Sequence, residues 1–80
     1  MSAKEMFKKI GFKKVERYDD RISYERENPR GDIEAIDFPL NQFSPQRFAT
    51  FLNGQFSDVS IEELPAINKQ IEELGWEVNK

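Results

Sequence analysis

The stretch Ser2-Ala3-Lys4-Glu5-Met6-Phe7-Lys8-Lys9-Ile10-Gly11-Phe12 holds a helix start, an apolar face and a helix stop in close succession. Ser2 stands three residues before Glu5, the spacing of a capping box, in which each side chain accepts a backbone N–H of the other. Ala3, Met6, Phe7 and Ile10 then recur at i, i+3, i+4 and i+7, so they share one helical face. Gly11 supplies a left-handed stop. Phe12, one residue further, is placed to touch Phe7 in a Schellman contact.

The far end of the chain repeats this pattern. Ser60 and Glu63 have capping-box spacing, Leu64, Ile67, Ile71 and Leu74 form a stripe, and Gly75 ends it with Trp76 placed to fold back on Ile71. Pro65 would break a helix interior but suits a first helical position. The spacing therefore predicts a turn at 61–64 and a helix over 65–74.

Between these ends the periodicity shortens to two. Val15 to Tyr18 and Arg21 to Arg26 flank Asp19-Asp20, which predicts a tight hairpin. Asn28-Pro29-Arg30-Gly31 is a turn by composition. Ile33 to Leu40 alternates through Ile36, Phe38 and Leu40, with Pro39 expected near the strand end. A loop follows to Gln46, then a fourth strand over Arg47 to Leu52. Asn53-Gly54 is a type I′ hairpin signal and predicts a short fifth strand near Gln55 to Ser57.

These connections are too short for parallel crossovers. The expected architecture is a single α+β domain over 1–80, in the order α-β-β-β-β-(β)-α. An antiparallel meander of four to five strands would carry both terminal helices on one face, which hides both apolar stripes.

Composition bounds the chemistry. The 80 residues include seven Phe, one Trp and two Tyr, but neither Cys nor His. Disulfides, Cys/His zinc sites, and imidazole or thiol catalysis are thereby excluded. A chain of this size buries only about 60% of its unfolded surface, so aromatic and aliphatic packing must carry its stability. No run approaches the roughly 20 apolar residues of a membrane span, and no signal-peptide pattern opens the chain. A soluble cytoplasmic protein is expected, with no cofactor, no metal and no membrane partner.

Several side-chain groups could carry function. Residues 1–30 hold nine Lys/Arg and six acids, and residues 31–80 hold three and nine. Lys8, Lys9, Lys13 and Lys14 flank Gly11 and could contact nucleic acid. Lysines in a last helical turn also complement the helix dipole, and the net charge of −3 disfavours a duplex partner. The acids at Asp19-Asp20, Asp32/Glu34, Glu62-Glu63 and Glu72-Glu73 read as solvated faces: neighbours on a helix do not face one another, and Asp32 and Glu34 could share a strand face but lie near a turn, in water. Arg30-Gly31-Asp32 reads as a turn. Tyr18 and Tyr24 are expected to pack with their hydroxyls toward water.

The phenylalanines at 43, 48, 51 and 56 pose a surface question. Phe48 and Leu52 point to one side of the fourth strand and Phe51 to the other. Phe43 lies in a polar loop. Phe43 and Phe51 are the candidate partner-binding residues, with a bulge or twist returning one of them to the core as the competing reading.

The stretch Ala66-Ile67-Asn68-Lys69-Gln70-Ile71-Glu72-Glu73-Leu74-Gly75-Trp76 resembles the closing helix of small proteins encoded by phages and prophages of Gram-positive bacteria. The opening Ser2 to Phe7 with Ile10-Gly11-Phe12, and Asp19-Asp20 before Ile22-Ser23-Tyr24, resemble them too. The region 39–51 matches less well, and Pro65 departs from the usual helix start. The resemblance implies a setting, the bacterial cytosol during infection or lysogeny, and no site residues. The function expected is a small non-enzymatic interaction module that binds a protein partner or forms a homodimer. The alternatives are a nucleic-acid-binding module using Lys8–Lys14 and an inhibitor of a host enzyme or defence complex.

Overall fold

A computed structural model describes residues 1–40 and 46–76. Helix α1 (Ala3–Lys9) begins where the sequence marks it. Ser2 is the N-cap, its hydroxyl accepts the Glu5 N–H at 3.1 Å, and the Glu5 carboxylate accepts the Ser2 N–H at 3.0 Å. The helix ends in a Schellman motif. Phe12 N–H donates to Phe7 O at 2.9 Å and Gly11 N–H to Lys8 O at 3.0 Å. Gly11 has φ +93°, and a Cβ there would come within 3.1 Å of Arg26 Cδ. The Phe7 and Phe12 rings meet edge-on at 5.8 Å.

Helix α2 (Leu64–Leu74) closes the same way, with Gly75 left-handed and Trp76 N–H donating to Ile71 O at 3.2 Å. Its start differs from the expectation. The N-cap is Glu63, in helical conformation and without a side-chain cap. Residues 61–63 form a turn, and Pro65 occupies the first helical turn, where its missing N–H costs nothing. Ser60 still hydrogen-bonds the Glu63 carboxyl through its backbone and side chain. Half of the capping box therefore survives, on a preceding turn.

Five strands lie between the helices: β1 (Lys13–Val15), β2 (Arg21–Glu27), β3 (Ile33–Pro39), β4 (Ala49–Leu52) and β5 (Gln55–Phe56). They form one antiparallel sheet in the order β1-β2-β3-β4-β5, the expected meander. Pro39 ends β3, and Asn53 and Gly54 take φ +50° and +82° in the β4–β5 turn. The first hairpin is wider than the tight turn expected at Asp19-Asp20. Val15 pairs with Ser23, so the connection runs from Glu16 to Asp20 and β1 lies earlier than Val15 to Tyr18. This register puts Tyr24 on the inner face and frees Tyr18 to lie under two arginines.

One face of the sheet is covered. Tyr24 pairs with Ile36 and Ile22 with Phe38, so these four share that face. Tyr24, Ile36 and Phe38 join Phe7, Phe12, Ala66 and Ile67 in the core, with Phe48, Leu74 and Trp76 packed at its margin. Phe7 stacks on Tyr24 at 4.1 Å. Both helices contribute, which is how two stripes and one sheet face bury one another. The expected water-facing hydroxyl of Tyr24 is instead buried, and it donates to Gln70 Oε1 at 2.6 Å. Ala3 N–H donates to Glu73 Oε2 at 2.7 Å and ties the start of α1 to α2.

Candidate interaction surface

Strand alternation sends every second residue of β2 to β5 to the face opposite the helices. Register places Ser23 beside Asp37, Ala35 beside Phe51, and Phe51 beside Phe56 on this outer face. Its two ends differ in chemistry. Toward β2 it is a closed polar network. Ser23 Oγ donates to Asp37 Oδ1 at 2.6 Å, and Arg21 Nη1 donates to Asp37 Oδ2 at 3.3 Å. Arg21 also reaches Asp20 at 3.1 Å, and this hydrogen bond holds the Asp20 carboxyl below its usual range. Arg17 pairs with Glu25 at 3.2 Å, and both guanidinium groups lie over the Tyr18 ring, at 4.9 and 4.5 Å.

Toward β5 the face turns apolar. The Phe51 and Phe56 rings stack with centroids 5.1 Å apart. Phe51 is half-buried, while Phe56 is 82% exposed. A hollow of about 580 Å³ runs from Asp20 and Arg21 past Asp37 and Ala49 to Phe51, and a second of about 270 Å³ adjoins it over Ser23 and Ala35. The surface therefore offers a shallow trough with a compensated polar end and an aromatic end. Its one hydroxyl–carboxylate pair is out of reach, because Ser23 is 1% exposed and its proton is already directed to Asp37.

Of the residues singled out in the sequence, Phe51 keeps its place on the outer face, without a turn into the core. Phe43 lies outside the described residues. Phe56, exposed on the same face, was not among the candidates, because the sequence alone does not show where the short β5 ends. The lysines are partly gathered. Lys8, Lys13 and Lys14 line a groove of about 550 Å³ with Lys4 and Glu16, where Lys4 Nζ is 3.9 Å from Glu16 Oε1. Lys9 does not line it; its charge acts on Glu5, one turn back in α1.

The acids also divide. Asp32 lies in a turn, where Asn53 donates to it at 2.9 Å and holds its carboxyl below the usual range. Glu34 is partly buried and pairs with Arg26 at 2.9 Å. Arg26 lies 4.3 Å over the Phe12 ring, donates to Ile10 O at 2.6 Å, and reaches Glu62 at 3.5 Å. It fastens the end of α1 to the segment before α2. Glu63, expected in solvent, is buried instead, and its Oε2 has no hydrogen-bond partner among the described residues. Burial raises its pKa, the Ser60 hydrogen bonds oppose this, Glu34 adds to the rise and Arg26 counters it. This spacing gave no sign of burial, because the turn at 61–63 decides which side Glu63 faces.

Comparison with protein families, with curated proteins and with solved structures finds no match. Among the described residues, no helix is long and apolar enough to cross a membrane, and no three His, Cys, Asp or Glu side chains are grouped to hold a metal ion.

Proposed function

We propose that this chain is a small non-enzymatic interaction module that docks a protein partner, or a second copy of itself, on the outer face of its sheet. The observation that carries this reading is the Phe51–Phe56 stack, with Phe56 82% exposed on the face opposite both described helices. Covering a phenylalanine of this kind is worth about 1.5–3 kcal/mol. An aromatic anchor beside a polar margin is the usual composition of a docking centre. The compensated charges around Arg21 and Asp37 can meet a partner without leaving an unpaired ion. The resemblance to phage and prophage proteins supports a bacterial cytosolic setting for this proposed activity.

Affinity capture from a bacterial host lysate, paired with sedimentation of the purified chain, tests the reading. Either one cellular protein or a second copy is expected to be held by the wild type and lost from Phe51→Ala/Phe56→Ala. A variant that keeps every association of the wild type, at an unchanged melting temperature, contradicts it.

A second reading has its own support. Lys8, Lys13 and Lys14 converge on one groove and make no ion pair among the described residues. A nucleic-acid backbone there would give an affinity that falls steeply with salt. Lys8→Glu/Lys13→Glu is expected to abolish such binding, and binding that survives this change rejects the reading.

A further inference from the structure

We infer that β5 is a pairing edge, and that its occupant is β5 of a second copy related by a two-fold axis through Phe56. This deepens the docking reading of the Phe51–Phe56 face and rests on it. Three observations carry it.

The first is the hydrogen-bond phase of the last hairpin. Ser57 N–H donates to Thr50 O at 3.0 Å, and the Thr50 hydroxyl donates to Ser57 O. Antiparallel ladders alternate bonded and non-bonded pairs, so Phe51 and Phe56, the next pair along, are a non-bonded pair. The Phe56 N–H and C=O therefore point away from β4, outward from the sheet. A strand laid there meets one donor and one acceptor on the same residue.

The second is the contrast between the two edges of the sheet. β1 presents Lys13 and Lys14, both exposed, and lysines on an edge oppose pairing with another chain. β5 presents Gln55 and Phe56, and Ser57 follows, with no charge and no proline. One edge is guarded and the other is not.

The third is self-complementarity. An antiparallel two-fold at Phe56 sets Phe56 opposite its own copy, Gln55 opposite Ser57, and Gly54 opposite Asp58. No like charges are brought face to face. Residues directly opposite share a face with Cβ atoms about 4.5–5.5 Å apart. The two Phe56 rings would then meet on the outer face, each flanked by its own Phe51, and cover the most exposed aromatic among the described residues of both copies.

Sedimentation equilibrium of the full chain, over a wide concentration range, compares wild type, Phe56→Ala and Phe56→Pro. Alanine removes the ring and keeps the N–H. Proline also removes the N–H, which the β4–β5 ladder does not use. The wild type is expected to dimerise, Phe56→Ala to dimerise more weakly, and Phe56→Pro about ten-fold or more weakly again. Amide exchange at Phe56 in the wild type is read alongside and is expected to slow as concentration rises. A monomeric wild type overturns the inference and leaves docking of a different protein to the capture experiment. Equal dimerisation of the alanine and proline variants overturns it in favour of ring-to-ring packing. If Phe56→Pro unfolds, the exchange measurement decides, and a rate independent of concentration overturns it.

Discussion

Glu63 and Tyr24 are both buried acids, and folding favours the protonated form of each. Burial raises the Glu63 pKa, and Oε2 has no hydrogen-bond partner among the described residues. A raised folded pKa means that the native state binds the proton more tightly. Ionising Glu63 above that pKa therefore subtracts stability, which returns as pH falls toward the unfolded value. Glu63→Gln is expected to raise the melting temperature at pH 7 and to have a smaller effect at pH 4. Thermal unfolding at the two pH values checks this, and a destabilised variant at pH 7 contradicts it. Burial, with help from Glu73 and Glu16, pushes the Tyr24 hydroxyl up to about 12 from 10.0. Its neutral form contributes fully below pH 10, and about 2–3 kcal/mol is lost between pH 10 and 12. Tyr24→Phe removes the bond to Gln70 and is expected to flatten this alkaline loss in chemical denaturation. An unchanged alkaline slope would place the titrating group elsewhere.

The two glycine stops are the determinants at the scale of elements. Gly11 at φ +93° with Arg26 close by cannot take a Cβ without strain. Gly11→Ala is expected to cost about 1–2 kcal/mol in denaturant unfolding, and Gly75→Ala no more than that, since no atom of the described residues would come within 4 Å of a Cβ at Gly75. A cost at Gly75 clearly above that at Gly11 would contradict the packing described there. These elements were legible because their signals are local. A capping box, a glycine stop and Asn53-Gly54 each act within a few residues, and each lies where the spacing put it. The first hairpin was not legible in its width. Asp19-Asp20 can sit in a tight turn, but the observed pairing of Val15 with Ser23 goes with Tyr24 stacking on Phe7, a contact across the fold that no local signal carries. The burial of Glu63 was not legible for the same reason. Its neighbours Arg26 and Glu34 come from β2 and β3 and are distant in the chain.

For the whole molecule, the order of elements and the sharing of one face by both helices follow from two apolar stripes and short connections. The candidate surface was half legible. Phe51 could be assigned to the outer face from strand alternation alone. The exposure of Phe56 needed the actual end of β5. The polar closure around Arg21, Asp37 and Ser23 needed the register. Asymmetry between the two sheet faces is the claim on which the functional reading stands, and it can be measured on the isolated chain at low concentration. Relaxation of the aromatic ring protons by a small soluble paramagnetic agent is expected to be strong for Phe56, weaker for Phe51, and negligible for Phe7 and Phe38. Protection of Phe56 equal to that of Phe38 would mean that the outer face is already covered, and would contradict the account.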